Sequence, residues 1–350
     1  MKLATSLLVW VVMLALQVWV MQAFPVSNCG LPFKEPVAVP LHVSPGDFWI
    51  HALLLFALLV LMPLGRGLQP GNKAGGIDIV EDVEDVAACL AGLSLLTPPV
   101  PPTALFDAAA GHLLPVAFLL SLPWLGIRLH RAHRVLERWL TPRPADLARL
   151  TLDQAQGFPA IGAAWLVAHR AGWTPWHFNP LIVLLTAAHF HHAGFTLPLI
   201  AGLQARAHPS RLTRGACLAI LAGVPLVAAG ITCTHFGVLP RLEPLAVAVL
   251  VLGALAVAVT QLLCGLRRTA GLWPRLGFLV SGASLLVAML LALGFGLRSV
   301  FPDLALPLPR MWQLHGSLNA FGFGLCGLLA WRAWRARQPL EKPSPPAAFP

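Results

Sequence analysis

Three imidazoles stand together in Leu185-Thr186-Ala187-Ala188-His189-Phe190-His191-His192-Ala193-Gly194-Phe195, in the middle of an apolar run from about residue 180 to 203. Imidazole titrates near neutral pH, binds transition metals and relays protons. Inside an apolar span such groups are costly to bury, and they face a bundle interior, a cavity or one another. On a helix His189 and His192 are three apart and share a face, whereas His191 points away from His189. The pair is suited to hold a proton or one metal ion, and His191 needs a partner of its own.

A second polar set lies in Met311-Trp312-Gln313-Leu314-His315-Gly316-Ser317-Leu318-Asn319, where His315 and Asn319 are four apart on one face. His51 follows Asp47 at the head of another apolar run, and His112 follows Asp107 at the head of a third. His51, His112, His189, His191, His192, His315 and Asn319 are the candidate residues for a solute or proton site. His189, His191 and His315 are the candidate metal ligands, and His189 with His315 is the natural pair for axial haem ligation. The sequence demands no cofactor, but a haem or a transition metal is what these histidines would accept. The plainer alternative is helix packing. Gly316, Ala320 and Gly324 form a small-residue row, as do Gly194, Pro198 and Gly202, so the polar groups beside them would only join helices.

These residues must be positioned by membrane spans. The 350-residue chain is 57% hydrophobic and 11% charged, against about a quarter charged in soluble domains. Apolar runs near 20 residues recur between Arg-rich or Pro-rich connectors, without the period-two alternation of a β-barrel. The expected fold is an all-α, polytopic transmembrane bundle of about ten spans. They are 4–23, 47–64, 86–101, 107–127, 153–169, 180–204, 215–235, 244–264, 276–297 and 312–331. The first is read as an uncleaved anchor, with a signal peptide as the alternative. Residues 1–334 form one membrane domain, and 335–350 form a Pro-rich, disordered cytoplasmic tail.

The net charge of +10 has an ordinary cause in the loops. With both termini cytoplasmic, 19 of the 24 Lys and Arg residues fall inside, leaving Lys34, Arg170, Arg241, Arg298 and Arg310 outside. That split places most histidines in the outer half of the bundle. It leaves no reason for nucleic-acid binding, since no recognition module interrupts the apolar pattern. The acidic run Asp78, Glu81, Asp82, Glu84, Asp85 is expected as a solvated turn before the third span. Six cysteines form no CxxC pair, and there is no tyrosine. No G-x-S-x-G, Walker A or dinucleotide fingerprint occurs, so the expected partners are the lipid bilayer and a small solute or ion.

With these residues in view, the chain resembles the YndJ-like family of bacterial integral membrane proteins. The resemblance rests on the His189 segment, on Ala222-Gly223-Val224-Pro225-Leu226-Val227-Ala228-Ala229-Gly230-Ile231-Thr232, and on His315-Gly316-Ser317-Leu318-Asn319-Ala320-Phe321-Gly322-Phe323. It implies a polytopic, transporter-like protein of the bacterial inner membrane, without a substrate to carry over. The family's H-F-H-x-A-G-F pattern falls on His189, His191, Ala193, Gly194 and Phe195. His192 stands where the family commonly has an aromatic residue, which favours His189 and His191 individually. The functional expectation is a secondary transporter of a small solute or ion. The alternatives are a histidine-ligated haem or metal redox protein and a non-catalytic membrane assembly factor.

Overall fold

The apolar runs become long helices. A computed structural model describes residues 3–23, 45–69, 79–96, 114–141, 146–267 and 271–337, and all its regular elements are helical. In order they are α1 (Leu3–Ala23), α2 (Pro45–Phe56), α3 (Met62–Arg66), α4 (Ile79–Ser94), α5 (Leu114–Leu140), α6 (Leu147–Gly157) and α7 (Pro159–Arg170). There follow α8 (Pro180–His192), α9 (Thr196–Ala207), α10 (Arg211–His235), α11 (Leu242–Leu266), α12 (Leu272–Gly296), α13 (Leu308–Met311) and α14 (Cys326–Arg335). Five helical stretches are long and apolar enough to cross a membrane: Phe48–Arg66, Pro180–Ala207, Arg211–His235, Leu242–Leu266 and Leu272–Gly296.

Several of these helices are pieces of longer rods, and prolines explain the joints. A π-helical turn, Ala57–Leu61, links α2 to α3. Pro63 follows it, has no N–H to return to the Leu59 carbonyl, and crowds that carbonyl with its ring. Widening the helix by one residue relieves the conflict. Pro159 begins α7 where α6 ends, and Pro198 sits in the first turn of α9, just past the break at Ala193-Gly194-Phe195. Two π-helical stretches, Trp312–Gly316 and Leu318–Leu325, join α13 to α14.

The rod of α2 and α3 is the hub, with 83% of its apolar window buried, against 33% in α10 and α12. Indole and imidazole groups from three sides fasten it. Trp10 donates to the Ala52 carbonyl (3.0 Å), Trp49 donates to Ser317 Oγ (3.0 Å), and His192 donates through Nε2 to the Leu53 carbonyl (2.9 Å). Gly316 gives Leu53 its room, since a Cβ there would stand 2.7 Å from Leu53 Cδ1.

Two sequence expectations shift. The third apolar segment, expected at 86–101, forms the helix Ile79–Ser94, and residues 97–113 lie outside the described residues. From Glu81 to Asp85 the acidic run is thus helical and not a solvated turn, because Glu84, 2% exposed, and Asp85 find arginines on neighbouring helices, while Asp78 lies outside the described residues. The fourth helix runs on to Leu140, so Arg128, Arg131, Arg134 and Arg138 are helical residues rather than loop residues. Residues 338–350 of the expected tail also lie outside the described set.

Candidate functional site

The contacts between helices give the bundle two distinct ends. At the arginine-rich end Glu84 meets Arg128, Arg131 (2.9 Å) and Arg66 (3.5 Å), and Asp85 meets Arg66. Arg138 reaches Asp153 at 2.8 Å, tying α5 to α6. The opposite end carries most of the histidines.

His191 is fully buried on the α7-facing side of α8, away from His189 as its spacing requires. The Trp124 indole N–H donates to His191 Nε2 at 2.9 Å, and His191 Nδ1 lies 2.7 Å from the Ala187 carbonyl. An indole N–H only donates, so Nε2 accepts and the proton sits on Nδ1. Both ring nitrogens are therefore committed. Arg128 lies over the Trp124 ring at 4.4 Å, and Gly162 makes room for the imidazole, since a Cβ there would stand 2.6 Å from Nδ1.

His189 is in the opposite condition. It is exposed, its ring has no hydrogen-bond partner among the described residues, and it lies within electrostatic reach of His192 and His315. His192 sits one turn further along the same face. Its Nε2–H is spent on the Leu53 carbonyl, and its Nδ1 is buried without a hydrogen-bond partner among the described residues. His315 Nδ1 donates to the Ala288 carbonyl (2.9 Å), while Nε2 accepts from Asn319 Nδ2 (3.2 Å), which also donates to the His315 carbonyl (2.8 Å). The π-helical backbone of this segment keeps the i, i+4 contact between His315 and Asn319.

The break in the α8–α9 rod lies directly below this group. Phe195 N–H bonds the His192 carbonyl (3.1 Å), and Thr196 Oγ1 donates to the same carbonyl (2.7 Å). Gly194 is required, because a Cβ would stand 2.5 Å from the Phe190 carbonyl oxygen. Burial changes sharply across the break. Every residue of α9 from Thr196 to Ala205 is buried, whereas Ile182, Leu185, Thr186 and His192 on α8 are half-buried and His189 is exposed. The last rod shows the same gradient, half-open at His315–Asn319 and buried at Phe323, Gly324, Leu328 and Trp331. In these two rods packing is tighter toward the arginine-rich end, whereas α2 and α7 stay buried up to His51 and Arg170 at the histidine end.

His51 belongs to a different group. Its Nδ1 lies 2.7 Å from Gln17 Nε2, and its ring is edge-on to His169 with centroids 6.1 Å apart. Arg170, fully buried at the end of α7, lies within electrostatic reach of both. His112 lies outside the described residues. Sequence reasoning did not single out Gln17, His169 or Arg170; the one signal for Gln17 is that it is a polar residue inside the first apolar run. Among the described residues no group of three or more His, Cys, Asp or Glu side chains is arranged to hold a metal ion. In particular, His191 stands apart from His189 and His315, facing Trp124.

A chain whose described elements are all helical, five of them long and apolar enough to cross a bilayer, is a polytopic membrane protein. A family model described as YndJ-like protein matches residues 52–323, and the chain belongs to that family. It is 26% identical over 235 residues to the uncharacterized membrane protein YndJ of Bacillus subtilis (strain 168). That alignment covers 66% of this chain and 41% of the relative, so the chain matches less than half of the relative's length. No solved structure matches.

Proposed function

We propose that this protein is a secondary transporter of a small solute or ion in the bacterial inner membrane, and that His189 and His192 carry a coupling proton. The observation that carries the reading is the contrast among neighbouring imidazoles. His191 and His315 have both ring nitrogens engaged, while His189 is accessible without a hydrogen bond and His192 keeps a bare Nδ1. Imidazole is a side chain that can take up and release a proton, and a ring nitrogen without a hydrogen bond is the place for one. The position of the pair, at a helix break where α8 is more open than the buried α9, suits an access route along α8.

In this reading the ten rods 3–23, 45–66, 79–94, 114–140, 147–170, 180–207, 211–235, 242–266, 272–296 and 308–335 are ten spans. The arginine-rich end is cytoplasmic, as are both termini, and the histidine cluster opens outward. The basic residues in the last turns of α3, α5, α9 and α14, and Arg275 near the start of α12, support this orientation. Asn319 acts as a positioning residue, holding the His315 ring beside His189.

The test uses proteoliposomes loaded with a pH-sensitive dye and challenged with a panel of small organic anions, cations and neutral solutes. The reading expects at least one solute to move protons with the intact protein, and the movement to vanish in His189→Ala at equal folded amount. A flat response across the panel, or an unchanged response in His189→Ala, contradicts it.

A further inference from the structure

A second site lies at the arginine-rich end, between the start of α10 and the end of α11. There a cavity of about 430 Å³ opens among His208, Ser210, Leu212, Thr260, Leu263 and Arg267. No Asp or Glu lines it. Arg267 Nη1 donates to His208 Nδ1 at 3.3 Å, which leaves the rest of the guanidinium and the His208 Nε2–H as outward donors. Ser210 caps α10 by accepting from the Thr213 N–H (3.2 Å), so Arg211 and Leu212 in the first turn have no intrahelical acceptor. No acidic residue stands in that turn.

The arginines of this end fall into two classes. On the α3–α6 flank Arg66, Arg128, Arg131, Arg134, Arg138 and Arg149 each reach a carboxylate. On the α9–α12 flank Arg206, Arg211, Arg214, Arg267 and Arg275 have no carboxylate partner among the described residues. The second flank is therefore a basic surface without carboxylate partners among the described residues. It also has an apolar side: Leu212 and Leu263 line the cavity and are exposed.

We propose that this cavity binds the phosphate of an anionic phospholipid, with Arg267 and His208 on the headgroup and the leucines along an acyl chain. Basic pockets between spans on one membrane face are suited to anionic headgroups, and the apolar rim selects a lipid over a free phosphate ion. The site is independent of the His189 group and stands or falls separately.

The test measures lipid binding to the full-length protein by native mass spectrometry, offering phosphatidylglycerol, phosphatidylcholine or inorganic phosphate. The wild type is expected to retain phosphatidylglycerol preferentially. Arg267→Ala should weaken that binding about fivefold, at roughly 1 kcal/mol per basic group near a lipid surface, and His208→Ala should weaken it less. Arg310→Ala, exposed at the opposite end without a carboxylate partner among the described residues, should leave it unchanged. Matching elution and melting profiles keep a folding defect apart from a binding defect. Equal retention of the two lipids, or wild-type binding in Arg267→Ala, overturns the proposal. Displacement of phosphatidylglycerol by millimolar inorganic phosphate reassigns the cavity to a free phosphate and overturns the lipid.

Discussion

Trp124 donates its indole proton to His191 Nε2 across the α5–α8 interface at 2.9 Å, and this bond separates His191 from its neighbours in role. The imidazole has no lone pair left once Nδ1–H has bonded the Ala187 carbonyl. Protonating Nε2 would set two donors against each other in a fully buried place. His191 is a strut, although it stands two residues from His189.

The strut makes a stability prediction. His191→Ala removes a buried ring and leaves the Trp124 N–H without an acceptor, which together cost about 3–5 kcal/mol. Trp124→Phe keeps most of the packing and strands only the His191 lone pair, costing about 1–3 kcal/mol. Thermal melts of purified protein in detergent check the order. A neutral His191→Ala would show that this bond does not hold α5 to α8.

Glu84 makes a second one. It is the shared anion of Arg128, Arg131 and Arg66, and replacing it by Ala leaves the buried Arg128 without its carboxylate, while Arg66 keeps Asp85. Breaking a buried pair from one side costs about 3–5 kcal/mol. Arg131→Ala should cost far less, because its side chain is 28% exposed and Glu84 keeps two partners. Comparable losses for the two variants, read as recovery of folded protein after extraction, would contradict the ranking.

Much of this architecture is legible in the residues, and the limits have physical causes. Apolar run length places the long helices from residue 180 to 297 to within a few residues, as at 180–204 against Pro180–Ala207, but misses the extension of α5 to Leu140. The divergence of His191 from His189, and the pairing of His315 with Asn319, follow from helical spacing. The third segment was misplaced because hydropathy counts Glu84 and Asp85 against burial, while their arginine partners on α3 and α5 are invisible along the chain. The Gln17–His51–His169–Arg170 group joins three helices far apart in sequence, which no local pattern reports. The π-helical stretches also escape reading, since Pro63 signals a disturbance without saying whether the helix kinks or widens.

His208 makes a pH prediction outside the spans. Partial burial, and then the charge of Arg267, lower its pKa from the ordinary value of 6.5. The folded state therefore binds fewer protons at this site than the unfolded chain. The stability it supports is fully present above about pH 6.5 and is lost as pH falls through the lower folded pKa. His208→Gln should flatten the fall in melting temperature between about pH 7 and pH 5 relative to the wild type. A steeper fall in the variant would reverse the sign of this account.

The central claim is that the open face of His189 lines an aqueous cleft reached from the histidine end, and one labelling measurement tests it most directly. Cysteine placed at His189, with the native cysteines replaced, is exposed to a membrane-impermeant thiol reagent on either side of sealed vesicles. The account predicts labelling from the histidine end alone, and little at a cysteine placed at buried Ala187. Labelling only by a bilayer-soluble reagent would place His189 against lipid and contradict the site.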